Sequence, residues 1–424
     1  MARGAELAGL HRARVAVVVY LAMLGTADGV WLARIPAVKQ HLGLGDGLLG
    51  AALLAAPAGL VLIAAVADRL IDRFGGTRLT VVSGVVLPLL PVALGLAGNL
   101  AELIAALFAY GLVGGLLDVA LNTQAVAVER AYRRPMINSF HAAYSFGGLL
   151  GALLGGLFAW AGIGPAPTFA AVGVPLAAVA AAARRGLPRG EVPGRDGAGG
   201  AARARPDAPD APDAPDAPDA PDAPDAPGTP DRPRPARRGP SLRIVALGLL
   251  ALFSLLGEGA AGGWSAVYLR DNLATSAGFA ALGYAAFSVT MAAGRLLGDR
   301  VAARFGPGRM VSGCGLLAAA GLATALTWPS PAAGLIGFAL FGAGLSSTFP
   351  QLVSAAGNVE TDRCGSGIAR VAGAGYLGLL IGPVLIGGCA SLIGLRLALG
   401  IPVVLMLCVA AGGRAAAVRP RDGG

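Results

Sequence analysis

Residues 67–78 read ADRLIDRFGGTR, and residues 294–309 read GRLLGDRVAARFGPGR. Asp68-Arg69, Arg73, Phe74 and Gly75 of the first recur as Asp299-Arg300, Arg304, Phe305 and Gly306 of the second, each displaced by 231 positions. The same displacement carries Gly147, Gly151 and Gly156 onto Gly378, Gly382 and Gly387, and Trp31 matches Trp264 at 233. Two distant sites that keep one offset point to an internal repeat. Each charged stretch lies between long apolar runs, so the repeated unit is a set of hydrophobic segments joined by basic turns.

Outward from these turns the chain is dominated by apolar segments. It has 424 residues, 55% hydrophobic and 13% charged, against about a quarter charged in soluble domains. Twelve runs are long enough to cross a hydrocarbon core of about 30 Å. They cover residues 14–33, 46–67, 78–97, 100–123, 139–161, 166–183, 243–268, 276–297, 310–327, 332–355, 367–390 and 394–413. The expected fold is an all-α polytopic membrane protein with twelve transmembrane helices in two six-helix, pseudo-symmetric halves. With six spans each, the halves share one orientation and form a parallel repeat.

Residues 184–240 divide the halves, 1–183 and 241–424. Within them PDA is repeated seven times over 206–226, between arginine clusters. Proline at every third position excludes helix and sheet and favours an extended or disordered linker. A docking or regulatory role for its aligned aspartates is the alternative to a plain solvated linker.

The formal charge of +9 follows topology and does not call for a nucleic-acid partner. With both termini cytoplasmic, 29 of the 33 basic residues fall on the cytoplasmic side, 11 of them in the central loop. Only Arg34, Lys39, Arg270 and Arg396 fall on the other side. That asymmetry is the positive-inside rule for an even number of spans. Arg3, Arg12 and Arg14 precede the first run, which lacks a small-x-small cleavage site and reads as an uncleaved span. One lysine against 32 arginines, with abundant Ala, Gly and Pro, suggests a GC-rich bacterial genome. Cys314, Cys364, Cys389 and Cys408 have no metal-ligand spacing and read as small buried hydrophobes.

The segment ADRLIDRFGGTR resembles the loop between helices 2 and 3 of the major facilitator superfamily. Asp72-Arg73, Gly75 and Arg78 fall at the family's spacing, while Asp68 stands where the pattern has Gly. GRLLGDRVAARFGPGR is the matching loop of the second half, and the resemblance covers the chain apart from 184–240. It implies that Asp68, Arg69, Asp72, Arg73, Asp299, Arg300 and Arg304 form cytoplasmic gating loops. In the family such contacts steady the outward-open state, the alternative being that the arginines only set topology. A narrower resemblance is to fucose-permease-like bacterial members. It rests on GLLDVALNTQ (115–124), NSFHAAYSFGG (138–148), GVWLARIPA (29–37) and EGAAGGWSAVYLRD (258–271). In the sugar permease an acid of helix 4 is followed four positions later by Asn, matching Asp118 and Asn122, and a helix 5 amide matches His141. Its helix 1 acid falls on Leu32, one turn from Asp28.

Asp28, Asp118 and Glu258 lie well inside apolar runs, where an acid disfavours insertion by roughly 2.5–3.5 kcal/mol and so faces a cavity or partner. Asp118 and Asn122 share one helical face, suited to a hydroxylated solute or an exchangeable proton. The approximate second-half counterpart of Asp118 is Ser347, so the expected site is asymmetric. Trp31 and Trp264 read as an aromatic face beside Asp28 and Glu258 or as interfacial belt residues. His141 reads as a proton relay or an ordinary buried histidine. Arg34 and Arg270 read as caps of outer helix ends.

There is no Walker A motif, no GxSxG context and no metal cluster among His11, His41 and His141. The chain therefore reads as a secondary transporter and not an enzyme, with no cofactor. It is expected in the bacterial inner membrane as a lipid-embedded monomer. A small polar or amphipathic solute binds between the halves, with protons as candidate co-substrate and sugar-like uptake favoured. Efflux of drugs or metabolites is the alternative, and a solute sensor signalling through 184–240 is a further one.

Overall fold

In lipid every backbone N–H and C=O must be satisfied within the segment, so apolar runs of this length can only be helices. The computed structural model describes residues 2–132, 136–187, 241–359 and 364–417, and among these it is helical in every run, with no strand. Twelve helices are long and apolar enough to span. They are α1 (Gly9–His41), α2 (Asp46–Phe74), α3 (Gly76–Leu96), α4 (Leu100–Tyr132), α5 (Ala142–Trp160) and α6 (Pro165–Gly186) in the first half. The second half holds α7 (Leu242–Asn272), α8 (Ala277–Gly298), α9 (Pro307–Thr327), α10 (Pro331–Gly357), α11 (Gly367–Ile393) and α12 (Leu395–Ala416). The α6 helix ends in a 3₁₀ turn, Arg184–Gly186, which takes up the first residues of the expected linker. The PDA repeat lies outside the described residues.

Helices α1, α7 and α10 are the most buried, at 67%, 61% and 61% of their apolar windows. They form the centre of the bundle, and α6, at 28%, lies on its rim. Proline and serine interrupt several spans. The α2 helix breaks at Leu54 before Pro57, α3 passes through a 3₁₀ turn at Leu87–Leu89 around Pro88, and α10 breaks at Ser346-Ser347 before Pro350. These sites remove or loosen i→i−4 bonds and bend the helices. The end of α7 is different: Tyr268–Asn272 forms a π turn.

Tight seams hold each half together. A Cβ on Gly25 or Gly29 would collide with the Tyr144 or Gly148 carbonyl of α5, and one on Gly147 or Gly151 with the Ala22 or Thr26 carbonyl of α1. Small residues at such positions let two backbones approach within van der Waals contact. The second half repeats the seam: Gly378 meets the Leu252 carbonyl and Gly382 the Leu256 carbonyl of α7. The repeat is therefore structural. Gly111 packs on Ala56 and Gly342 on Phe287, both pairs displaced by 231. Gly75 and Gly306, also 231 apart, cap α2 and the helix Ala277–Phe305 that extends α8, with φ of 83° and 80°, a conformation open to glycine at little cost.

These contacts correct the register of the innermost helices. Gly29 of α1 and Gly259 of α7 meet Gly148 and Leu379 respectively, so the α1–α7 displacement is 230. The Trp31–Trp264 match at 233 is a sequence coincidence. Asp28 is thus the counterpart of Glu258. In α4 and α10 the displacement of 231 pairs Asp118 with Phe349, not Ser347.

The halves meet at one end of the bundle. Gly50 of α2 packs on Gly387 of α11, Gly47 lies against Ser391, and Gly156 of α5 faces Gly278 of α8. The same end holds the four cations assigned to the far side of the membrane. Arg34 donates to the Ile163 carbonyl, Arg270 to the Thr275 carbonyl at 2.6 Å, and Arg396 to the Leu326 carbonyl at 2.7 Å. Each satisfies a carbonyl in or beside an inter-helix turn.

Candidate functional site

Asp28 sits near the middle of α1 and is half-buried. Its Oδ1 accepts from the Tyr110 hydroxyl of α4 at 2.5 Å, and its Oδ2 accepts from the Tyr144 hydroxyl of α5 at 2.8 Å. Both carboxylate oxygens are served by neutral phenol donors, an arrangement suited to the ionised form. The α1–α5 seam makes this possible, because the close backbones bring Tyr144 directly over Asp28. Tyr284 of α8 completes this side from the other half. Its hydroxyl lies beside Gly148 and bonds Ser288, and it is within electrostatic reach of Asp28, Glu258 and Arg295.

Glu258 occupies the equivalent position in α7 but has a different partner. Arg295 of α8 places Nη2 at 3.5 Å from Glu258 Oε1 and Nη1 at 3.5 Å from Ser145 Oγ of α5. The Glu258 and Arg295 side chains are 30% and 33% exposed, so this is a long, partly hydrated pair. Arg295 reaches across the boundary between the halves. Asp28, by contrast, is bonded within its own half.

Asp118 lies about five turns along α4 and is half-buried, with Asn122 one turn further on. The Asn122 amide donates to the Asp118 backbone carbonyl at 3.0 Å. Among the described residues no lysine, arginine or histidine forms a salt bridge with Asp118 or Asp28. Asp118 is within electrostatic reach of Asp28 and of Tyr376 in α11, which also senses Glu258. Tyr376 packs on Phe349, the counterpart of Asp118, with centroids 6.2 Å apart. The three acids are thus linked electrostatically, Asp28 with Asp118 directly, Asp28 with Glu258 through Tyr284, and Asp118 with Glu258 through Tyr376.

Trp31 and Trp264 are placed elsewhere. Trp31 is buried 6.3 Å from the Phe169 ring of α6. Trp264 is fully buried, and its Nε1 donates to the Pro383 carbonyl of α11 at 3.3 Å. The rings beside the acids are tyrosines. Position 141 falls in the first turns of the helix Ile137–Trp160, but the His141 side chain lies outside the described residues, as does that of Asp299. Asp68, Arg69, Asp72, Arg73, Arg300 and Arg304 are exposed at the end opposite Lys39. Arg73 lies over the Phe74 ring at 5.4 Å and Arg304 over the Phe305 ring at 5.7 Å, the same contact in each half. Gln124, polar and deep in α4, serves the fold: it donates to Thr80 of α3 at 2.6 Å.

Arg295 and the four tyrosines were not singled out from sequence. Arg295 was counted with the cytoplasmic charges beside the gating loop, whereas it lies inside α8. Its position 231 residues earlier is Ala64, and a charge gained in one copy of a repeat is a readable signal of a site.

Twelve spans in two repeated halves, with ionisable groups gathered between them, define a polytopic membrane transporter. The sequence matches the Major Facilitator Superfamily over residues 16–246 and 247–423, and the chain belongs to that family. It is a secondary transporter and not an enzyme. It is 33% identical over 398 residues to an uncharacterized MFS-type transporter of Yersinia pestis, covering 93% of each chain. Its fold is similar to a D-xylose-proton symporter, with a TM-score of 0.68 at 14% identity over 95% of this chain and 96% of that one. It is also similar to an inward-facing, occupied bacterial homologue of the human lysosomal transporter Spinster, with a TM-score of 0.66 at 16% identity, covering 95% and 97%.

Proposed function

We propose that the protein moves a small polar solute between its two halves by alternating access, with protonation of Asp118 as the coupling step. The observation that carries this reading is that Asp28 of α1, Asp118 of α4 and Glu258 of α7 are linked electrostatically, directly or through Tyr284 and Tyr376. Phenols and carboxylates together offer donors, acceptors and ring faces, the set that a polyhydroxylated ring engages. The roles divide by bonding. Asp28, held by two phenols, is the fixed binding group. Glu258, held by a long cross-half pair to Arg295, exchanges partners as the halves rock.

Asp118 is the coupling candidate because, among the described residues, no cation pairs with it and neither of its side-chain oxygens is held by a phenol as those of Asp28 are. A carboxyl in that position gains or loses a proton readily as its hydration changes. The similar fold of a proton symporter is in keeping with this reading. The basic asymmetry of the loops supports a cytoplasmic location for both termini, in a bacterial inner membrane. The exposed Asp72, Arg73 and Arg304 then face the cytoplasm as gate residues.

Two measurements test the proposal. Sugars, nucleosides, amino acids and common drugs are screened for thermal stabilisation of the purified protein, since a ligand that binds only the folded state raises its melting temperature. With the solute so found, Asp118→Asn is expected to abolish proton-driven uptake while counterflow exchange continues. If both persist at the parent rate, Asp118 is not the coupling group.

A further inference from the structure

Lys39 is the only lysine in the chain. At the end of α1 its Nζ lies 2.6 Å from Asp46 Oδ1, at the start of α2, and 2.5 Å from Asp271 Oδ2, in the π turn that ends α7. The side chains of Lys39, Asp46 and Asp271 are only 13%, 21% and 30% exposed. Since α1 and α2 belong to the first half and α7 to the second, one ammonium ties the halves together.

The repeat offers no second copy of this triad. At the α1–α7 displacement of 230 the counterpart of Lys39 is Leu269, and the neighbouring Arg270 donates to the Thr275 carbonyl of its own half. The triad also lies at the end where α2 and α11 touch, at Gly47 with Ser391 and Gly50 with Gly387. Nothing about the solute site requires a cation here.

We propose that Lys39 is the latch of this closed end, and that opening it requires the Lys39–Asp271 pair to break while Lys39–Asp46 keeps the lysine on the first half. Opening must part α1 from α7 and α2 from α11, so Asp271 is carried away with the second half. A partly dehydrated pair attracts more strongly than a surface one, because the lower local dielectric screens it less and a charge left half-buried without its partner is costly. The latch therefore biases the resting protein toward the state closed at this end. The proposal rests on the alternating-access reading, but its test needs no transported solute.

A Cβ on Gly47 would lie 3.1 Å from Ser391 Cβ, close to the roughly 3.5–4.5 Å of a disulfide. Gly47→Cys with Ser391→Cys, in a protein whose native Cys314, Cys364, Cys389 and Cys408 are replaced by alanine, therefore reports closure through its oxidation rate. The full chain in membranes is expected to cross-link rapidly. Lys39→Met and Asp271→Asn are each expected to slow cross-linking by at least about fivefold, and Lys39→Arg to restore most of it. Parent-rate cross-linking in both Lys39→Met and Asp271→Asn would falsify the latch. Asp271→Asn keeps the Lys39–Asp46 pair, so it carries the test alone if Lys39→Met fails to fold. A cross-linked protein that still transports would instead overturn alternating access, so the two failures are distinguishable.

Discussion

Replacing Gly25 with valine is expected to cost the protein its fold. A Cβ at this position would overlap the Tyr144 carbonyl of α5, and a valine adds two methyl groups behind it. Neither helix can retreat, because Gly29, Gly147 and Gly151 hold the same seam closed a turn away on either side. Overpacking a core costs roughly 1–3 kcal/mol when side chains can give way; here the obstacle is backbone, so the cost lies at or above that range. The damage also reaches the site, since parting α1 from α5 pulls Tyr144 off Asp28. Gly25→Val should yield little monodisperse protein in detergent and a melting temperature far below the parent's. Gly373 of α11 has open space around it, so Gly373→Val serves as the matched control and should elute and melt normally. Parent-like elution and melting of Gly25→Val would show that the seam can yield.

The second large effect is expected at Asp28. In Asp28→Asn the amide keeps one acceptor oxygen and presents an NH₂ group where the second phenol now donates. Either Tyr110 or Tyr144 must turn away or lose its partner. A buried hydroxyl left without a partner costs about 1–3 kcal/mol, and because Asp28 is half-buried, water recovers part of that. The fold should therefore survive with a modestly lowered melting temperature. Solute binding should not, because the carboxyl proposed to bind the solute is gone: affinity is expected to fall about tenfold to a hundredfold. The check is isothermal titration or ligand-induced thermal stabilisation with the screened solute. Tyr110→Phe with Tyr144→Phe is the companion, expected to weaken binding while leaving the charge in place. Unchanged affinity in Asp28→Asn would remove Asp28 from the site.

Much of the fold was legible because membrane helices announce themselves through length and apolarity, and because the repeat fixed how six spans relate to six. All twelve expected runs are helices, although α1, α2 and α4 run on past their expected ends to His41, Phe74 and Tyr132. The acids were legible for the same reason, since a carboxyl in an apolar run is costly and stands out. Their partners were not. A tyrosine in an apolar span is ordinary, and nothing in the sequence says that Tyr110 and Tyr144, 34 positions apart, point at one carboxylate. The pairing of Asp28 with Glu258 was hidden by a prominent tryptophan match at the wrong displacement. It emerged only from which glycine meets which carbonyl. Lys39 was read as one more outer charge, because the closeness of Asp46 and Asp271 depends on how two halves meet.

The π turn at the end of α7 explains why the two displacements differ. From α1 to α7 the copies run 230 apart, and from α2 onward 231, so the second half carries one extra residue between its first two spans. A π turn is how a helix absorbs a single inserted residue without losing its course, and Tyr268–Asn272 lies in that interval. The insertion that broke the likeness of the halves thus coincides with the turn that presents Asp271 to Lys39. Two copies of one ancestral unit could have closed against each other symmetrically. That one-residue difference sets the proposed lock, with its bolt on one half and its keeper on the other.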